Sequence, residues 1–404
     1  MAELKEGSEM ARLLLLLCLV CLLMVALPAT SPAHTWHVRP DGTGDAPTIG
    51  AAMDSAAVGD TLELASGTFQ GSGNYGLVVP DKRLTILSET RNPADCTIDL
   101  RGQPGDRFGF EFCCVRSKLV GLTISHAASS GLRIDYDWNG SKATQVTIGS
   151  CIFVSNASGY TGGAINMNCD YGSVYVADCQ FLSNSADFGG GAIYIRGVGS
   201  VLMVTIENCL FSDNIAGDVG GAIFSEKDEV SNSIRNSVFY HNSARAGGGI
   251  CVGTTGAGLF NCTFVANSAS EFGSAVSSGE GVAAHNCIIA YNTGGCGFAD
   301  YGDESGYPNS SLYCTDIYGN PGGDWVGPLA SLLGQYDNFS GCPGFCSWDI
   351  EPYDLQLCET SPCLPGNHPQ GANCGLIGAL GQGCACGPSE TQPSTWGSIK
   401  AMYR

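Results

Sequence analysis

The chain has 404 residues, a formal net charge of −20 and only 14% charged side chains. That acidic balance excludes nucleic acid, whose phosphates require Lys and Arg, and argues equally against attraction to an anionic membrane surface. The 57 glycines follow no collagen triplet and imply many tight turns, while the 44% hydrophobic fraction is ample for a core.

In chain order, residues 1–33 read as a signal peptide. Arg12 precedes an apolar run of 15 residues from Leu13 to Leu27, too short to span a bilayer comfortably. Small residues then offer a cleavage site after Ala33, with Ser31 at the −3 position. Glu3, Glu6 and Glu9 outweigh Lys5 before Arg12, which suggests that translation starts at Met10. Cys18 and Cys21 sit inside the apolar run, not at its end, so a lipoprotein site is not expected. No later segment qualifies as a spanning helix, so the exported chain is not expected to be an integral membrane protein. Residues 34–57 read as an N-terminal strand and capping helix. Ile49, Ala52, Met53 and Ala56 follow helical spacing, with Pro47 at the helix start, and the helix would plug an open barrel end.

Residues 58–320 read as stacked coils. Thr61 to Leu64, Leu84 to Leu87, Thr97 to Leu100 and Leu119 to Ile124 are early strands. A repeat then becomes explicit. Phe-x-x-Asn recurs as Phe153–Asn156, Phe181–Asn184, Phe211–Asn214, Phe239–Asn242 and Phe264–Asn267, and Ile289 and Asn292 continue it. Two residues before stand Cys151, Cys179, Cys209, Ser237, Cys262 and Cys287, at spacings of 28, 30, 28, 25 and 25 residues. Each Phe is followed by a glycine turn: Gly162-Gly163-Ala164-Ile165, Gly190-Gly191-Ala192-Ile193, Gly220-Gly221-Ala222-Ile223, then Gly247-Gly248-Gly249-Ile250. Cys and Phe, two apart on a strand, point to one side. The closing Asn tolerates left-handed backbone and can bond its stacked neighbour. Like residues recurring once per repeat require parallel stacking, which excludes a sandwich of hairpins, and the leucine-rich pattern is absent. The predicted fold is all-β, a right-handed parallel β-helix (solenoid) with a short N-terminal capping helix and a Cys-rich C-terminal cap.

Residues 321–386 form the Cys-rich terminal coil and cap. Tyr353 to Leu357 reads as a closing strand. Cys342, Cys346, Cys358, Cys363, Cys374, Cys384 and Cys386 crowd this stretch, and disulfides fit it better than zinc because His is scarce and no paired C-x-x-C knuckle occurs. The repeat-column cysteines are expected to be free thiols acting as small buried hydrophobes. Of 21 cysteines, an odd number, the leader holds two, so at least one of the remainder lacks an intramolecular partner. Residues 387–404 are a linker and a C-terminal tail.

Asp41-Gly-Thr-Gly-Asp45, the short helix, Gly59-Asp60 and Gly67-Thr68-Phe69 resemble the opening segment of pectin-lyase-like β-helix proteins. The paired Gly-Gly-Ala-Ile and Phe-x-x-Asn motifs resemble the repeats of chlamydial-type polymorphic outer-membrane adhesins. The resemblance covers about residues 35–385 and implies a fold shared by lyases, hydrolases, esterases and adhesins. It also implies a bacterial protein, secreted or at the cell surface.

Aligning the strands after the glycine turns sets Arg133, Asn166, Tyr194 and Phe224 in one outward column and Asp135, Asn168, Arg196 and Glu226 in the next. Asp137 aligns with Asp170, and Trp138 with Tyr171. Aromatic planes and hydrogen-bonding groups on one face suit a sugar chain, while the competing reading is an ordinary solvated sheet. The ligand-binding candidates are therefore Arg133, Asp135, Asp137, Trp138, Asn168, Asp170, Tyr171, Tyr194, Arg196 and Glu226. A β-helix lyase would use carboxylates on calcium and a basic residue for proton abstraction, and Asp135, Asp137, Asp170 and Arg196 fit that cast. Pectate-lyase and polygalacturonase signatures are absent, however, and the histidines show no pairing. The expectation is a noncatalytic scaffold that binds an extracellular glycan or surface protein, without catalytic residues, cofactor or metal. The alternative is a carbohydrate-active enzyme, a polysaccharide lyase or glycoside hydrolase acting on acidic polysaccharide, with calcium only in the lyase case.

Overall fold

A computed structural model describes residues 33–79, 82–102, 108–113, 116–135, 144–169, 171–197, 202–226, 230–253, 257–302 and 305–385. The predicted leader and tail lie outside these residues. All elements below belong to the unit that begins at Thr35. Among the described residues, the strands form three long sheets. An eleven-stranded sheet runs from Thr35–Val38 to Ser311–Tyr313, a ten-stranded sheet from Gly67–Phe69 to Asp316–Tyr318, and a nine-stranded sheet from Leu77–Val79 to Phe298–Asp300. A narrow six-stranded sheet, Ala157–Ser158 to Thr293–Gly294, adds a fourth side to the later coils. From Thr144 onward, each coil visits the eleven-, ten-, six- and nine-stranded sheets in turn and then steps up one coil, always pairing in parallel. The chain is a right-handed parallel β-helix.

Register follows the predicted columns. Ile148, Val176, Ile206 and Ile234 stack in the eleven-stranded sheet, and Phe153, Phe181, Phe211, Phe239 and Phe264 in the ten-stranded one. The Phe rings lie parallel, with successive centroids 5.3, 4.7, 4.7 and 4.5 Å apart, and all are fully buried. At the next corner, each Asn Oδ1 accepts two bonds from the Asn of the preceding coil. Asn184, for example, donates its backbone N–H and its Nδ2 to Asn214 Oδ1, both at 3.0 Å. Its Nδ2 also donates to Phe153 O at 3.0 Å. The ladder runs through Asn156, Asn184, Asn214, Asn242, Asn267, Asn292 and Asn320, and Asp324 accepts the last donors at 2.8 and 2.7 Å.

One local expectation is corrected. The ladder Asn residues are not left-handed; the residue before each of them is, including Ser155, Ser183, Asp213, His241, Ala266 and Tyr291. A second left-handed corner precedes the Cys column, at Asp178, Asn208, Asn236, Asn261 and Asn286. The third lies at the first glycine of each pair, such as Gly190 at φ 64°. The second glycine is needed for another reason: a Cβ on Gly191 would sit 2.2 Å from Gly221 O.

The column cysteines Cys151, Cys179, Cys209, Cys262 and Cys287 are buried free thiols. Each donates to the carbonyl two residues earlier, as Cys179 does to Ala177 O at 3.1 Å. Ser237 and Thr315 occupy the same column and make the same bond through their hydroxyls, at 2.7 and 3.1 Å. The column thus selects a small group with one donor, which explains why Cys, Ser and Thr interchange there.

Both ends are covered. Helix Ile49–Ser55 is N-capped by Thr48, one residue after the predicted Pro47, and sends Ile49, Ala52 and Met53 into the continuous core. At the far end, the 3₁₀ turn Gly327–Leu332 buries Leu329. The Cys-rich region carries the disulfides Cys314–Cys374 and Cys346–Cys384. Its strands Phe345–Ser347, Asp354–Cys358 and Gln382–Cys384 form a separate three-stranded sheet; they do not extend the coil as the sequence suggested for residues 353–357. This segment folds back along the outside of the ten-stranded sheet. Leu355 and Leu380 pack on Leu210, Val238, Tyr240 and Val265, Leu357 and Ile377 pack on Ile288, and Trp348 stacks on Tyr291 at 4.0 Å. We call it the strap. Beneath it, Asp316 is fully buried, accepting from Gly341 N at 3.0 Å and facing the Cys363 thiol at 3.5 Å. Burial pushes its carboxyl up to about 8.

Three outcomes are expected. Phe211→Ala should lower stability by about 3–5 kcal/mol, as large buried truncations do, and an unchanged denaturant midpoint would contradict the ladder. Alkylation under denaturing, non-reducing conditions should label Cys151, Cys179 and Cys209; a Cys179–Cys209 crosslinked peptide in the mass spectrum would overturn their assignment as thiols. Because folding raises the Asp316 pKa, the contribution of this group is full below the unfolded value of about 4 and is lost as pH rises through about 8. Melting temperature should therefore fall across that window more steeply in the wild type than in Asp316→Asn, and identical pH profiles would refute this.

Candidate functional site

The outer side of the nine-stranded sheet carries the candidate residues in the register the motifs imply. Leu132 pairs with Ile165, Arg133 with Asn166 and Asp135 with Asn168; Tyr194 and Arg196 follow in the next coil and Phe224 in the one after. Glu226 adjoins Arg196, its backbone N–H donating to Ile195 O at 3.0 Å. Upstream, Glu111 pairs with Arg133 and Cys113 with Asp135. Inward neighbours Leu132, Ile134, Ile165, Met167, Ile193 and Ile195 are fully buried, so strand alternation forces this polar set outward.

Polar groups on this face are tied to one another. Arg133 lies 3.7 Å from Glu111, donates to Ser129, and places its guanidinium carbon 4.5 Å from the centre of the Phe108 ring. Asn168 donates to Asn166 Oδ1 at 2.7 Å, and Asn166 in turn donates to Thr161 Oγ1 at 2.8 Å. Tyr194 donates its hydroxyl to Glu226, and Arg196 Nε lies 3.9 Å from the same carboxylate. Burial raises the Asp135 pKa, with Glu111 adding to the effect; the Asn168 hydrogen bond and Arg133 pull the other way.

Tyr194 departs from expectation. It points outward from its strand yet is only 4% exposed. Tyr194, Phe224 and Cys251 form a small second core under Phe188 and Val219, because the residues joining the six- and nine-stranded sheets fold over this column. Burial pushes the Cys251 thiol up to about 12, so it is packing material here. Tyr171 is half-buried at the corner beyond the strand, its carbonyl accepting from Thr144 N at 3.2 Å. Asp137, Trp138 and Asp170 lie outside the described residues. The structure therefore joins Arg133, Asp135 and Asn168 in one cluster and Tyr194, Arg196 and Glu226 in the next.

Sequence alignment stopped at Phe224 and Glu226, but both columns continue. Cys251, Ser277 and Ala299 extend the first. Gly253, Gly279 and Tyr301 extend the second, through Gly253 N to Ser225 O at 2.8 Å and Gly279 N to Val252 O at 3.0 Å. The two glycines leave the sheet bare, and a recess of about 330 Å³ opens there beside Arg245, Phe272 and Tyr301. Carrying the repeat alignment through coils with a degraded glycine pair would have found it.

Elsewhere, His126 lies 2.9 Å from Asp99 through Nδ1 and 2.8 Å from Arg101 through Nε2. A carboxylate and a guanidinium flank the ring and hold the imidazole in place. No helix among the described residues is long and apolar enough to cross a membrane.

The Chlamydia polymorphic membrane protein repeat matches residues 178–196 and 208–226, the two coils in which both motifs are most regular. Among solved structures, the crystal structure of pectate lyase Pel9A is similar over 88% of this chain and 98% of its own, at 13% identity and a TM-score of 0.45. No curated protein matches the sequence. The described residues thus form a parallel β-helix, two of whose coils match the Chlamydia polymorphic membrane protein repeat.

Proposed function

We propose that this protein is an exported, noncatalytic β-helix scaffold, secreted or held at a bacterial cell surface, that binds an extracellular glycan or surface protein through the outer face of its nine-stranded sheet. The carrying observation is the mutual pairing of that face. Arg133 is engaged by Glu111 and Ser129 and packed on Phe108, and Glu226 accepts from Tyr194 and forms a longer ion pair with Arg196 at 3.9 Å. Fixed, paired polar groups beside aromatic rings form a recognition surface, whereas proton abstraction needs a base free to accept a proton. The leader sequence and the adhesin-type repeats support export. One observation favours the lyase alternative: Asp135 and Glu111 are carboxyl groups on neighbouring coils, and they raise the question of calcium.

Purified protein incubated with polygalacturonate and calcium should release no unsaturated products, and it should be retained by at least one member of a broad glycan panel, more weakly as Arg196→Ala. Calcium-dependent appearance of unsaturated uronates would overturn the noncatalytic reading.

A further inference from the structure

We infer that the recess over Gly253 and Gly279 is a subsite for an uncharged hexopyranose unit of a polysaccharide; this rests on the glycan-binding reading above and names its ligand class. The recess lies in the same outward column as Arg196 and Glu226, one coil further on. Two consecutive glycine coils leave about 10 Å of bare sheet along the axis, the length of one to two sugar rings. The bare floor is enforced by the backbone, since a Cβ on Gly279 would lie 2.4 Å from Gly253 O. At about 330 Å³, the space is at the small end of ligand sites, about 300–1,000 Å³.

The walls specify the chemistry. Phe272 and Tyr301 are 46% and 55% exposed. Their centroids are 6.0 Å apart and their planes 69° apart, so each leaves a face open. Apolar C–H faces of a pyranose would cover such rings. The polar wall is Arg245, gripped at 2.5 Å by Asp218 on one side and at 2.5 Å by Glu271 on the other. Its positive charge is matched by one carboxylate and exceeded by two, so the triad is net negative. The two carboxylates behind Arg245 repel a uronate carboxylate, and Arg245 has no charge left over to offset that repulsion, while Ser277 in the lining offers a hydroxyl to a sugar. The chain's net charge of −20 acts in the same sense at longer range. Aromatic faces, a serine hydroxyl and a negative field together select a neutral sugar and disfavour the acidic polymers that a lyase of this fold would require.

Affinity electrophoresis of the full chain through gels containing a neutral β-glucan, a galactomannan, hydroxyethyl cellulose or polygalacturonate tests this. At least one neutral polymer should retard the protein and polygalacturonate should not. Tyr301→Ala should weaken retardation by about tenfold, Tyr301→Phe should restore it, and Tyr160→Ala, an exposed aromatic outside the recess, should leave it unchanged. Retardation by polygalacturonate alone overturns the ligand class. Neutral binding that survives Tyr301→Ala but is lost in Arg196→Ala overturns the recess while leaving the wider face standing. Failure of all polymers to retard the protein overturns both.

Discussion

The buried asparagine ladder is the constraint from which the rest follows. Each rung satisfies a backbone N–H, a side-chain amide and a carbonyl in places where no water reaches. A one-residue slip in any coil would strand several buried polar groups at about 1–3 kcal/mol each. Register is therefore fixed coil by coil, and with it every column: the Phe stack beside the ladder, the Cys, Ser and Thr column before it, and the outward columns of the nine-stranded sheet. A functional face on a solenoid is only as precise as its register. Here register depends on an amide network that tolerates substitution poorly, while Phe and Cys positions admit Ile, Ser or Thr.

Much of this was legible because periodic residues report periodic structure. Phe-x-x-Asn and the glycine pair fixed the coil length, and alignment of the strands gave the pairing of Arg133 with Asn166 and of Asp135 with Asn168. The left-handed corners were misplaced by one residue because the conserved chemistry of Asn drew attention from the variable residue before it, which adopts the strained backbone as Ser, Asp, His, Ala or Tyr. Burial of Tyr194 was not legible from its own strand. It depends on Phe188 and Val219, which lie in segments that read as plain turns.

The strap left a signal that a one-sided reading misses. In the ten-stranded sheet the inward residue is Phe, yet its neighbours Leu210, Val238 and Ile288 on one side and Tyr240, Val265 and Ala290 on the other are also apolar. A sheet that is apolar on both faces must be covered on both. The cover is supplied from about a hundred residues away, through Leu355, Leu357, Ile377 and Leu380. Disulfide Cys314–Cys374 fastens that cover to the last coil. Only the cysteines, not the hydrophobic pattern, announced that this region is stapled.

Charge is distributed with the same economy. An acidic chain with few charged residues cannot leave many of them isolated in a semi-buried face, and the nine-stranded side pairs them locally: Glu111 with Arg133, Glu226 with Arg196, and Asp218 and Glu271 with Arg245. Pairing at fixed coil spacing converts charge into a rigid array of hydrogen-bonding groups. Under the proposed binding role, such an array would recognise shape and hydroxyl pattern at low entropic cost, because its side chains are held before a ligand arrives. Stacking is a nearest-neighbour affair, so the outward columns can vary from coil to coil without endangering the core. The fold thus separates what must be constant from what can be altered, and the outward columns belong to the second set.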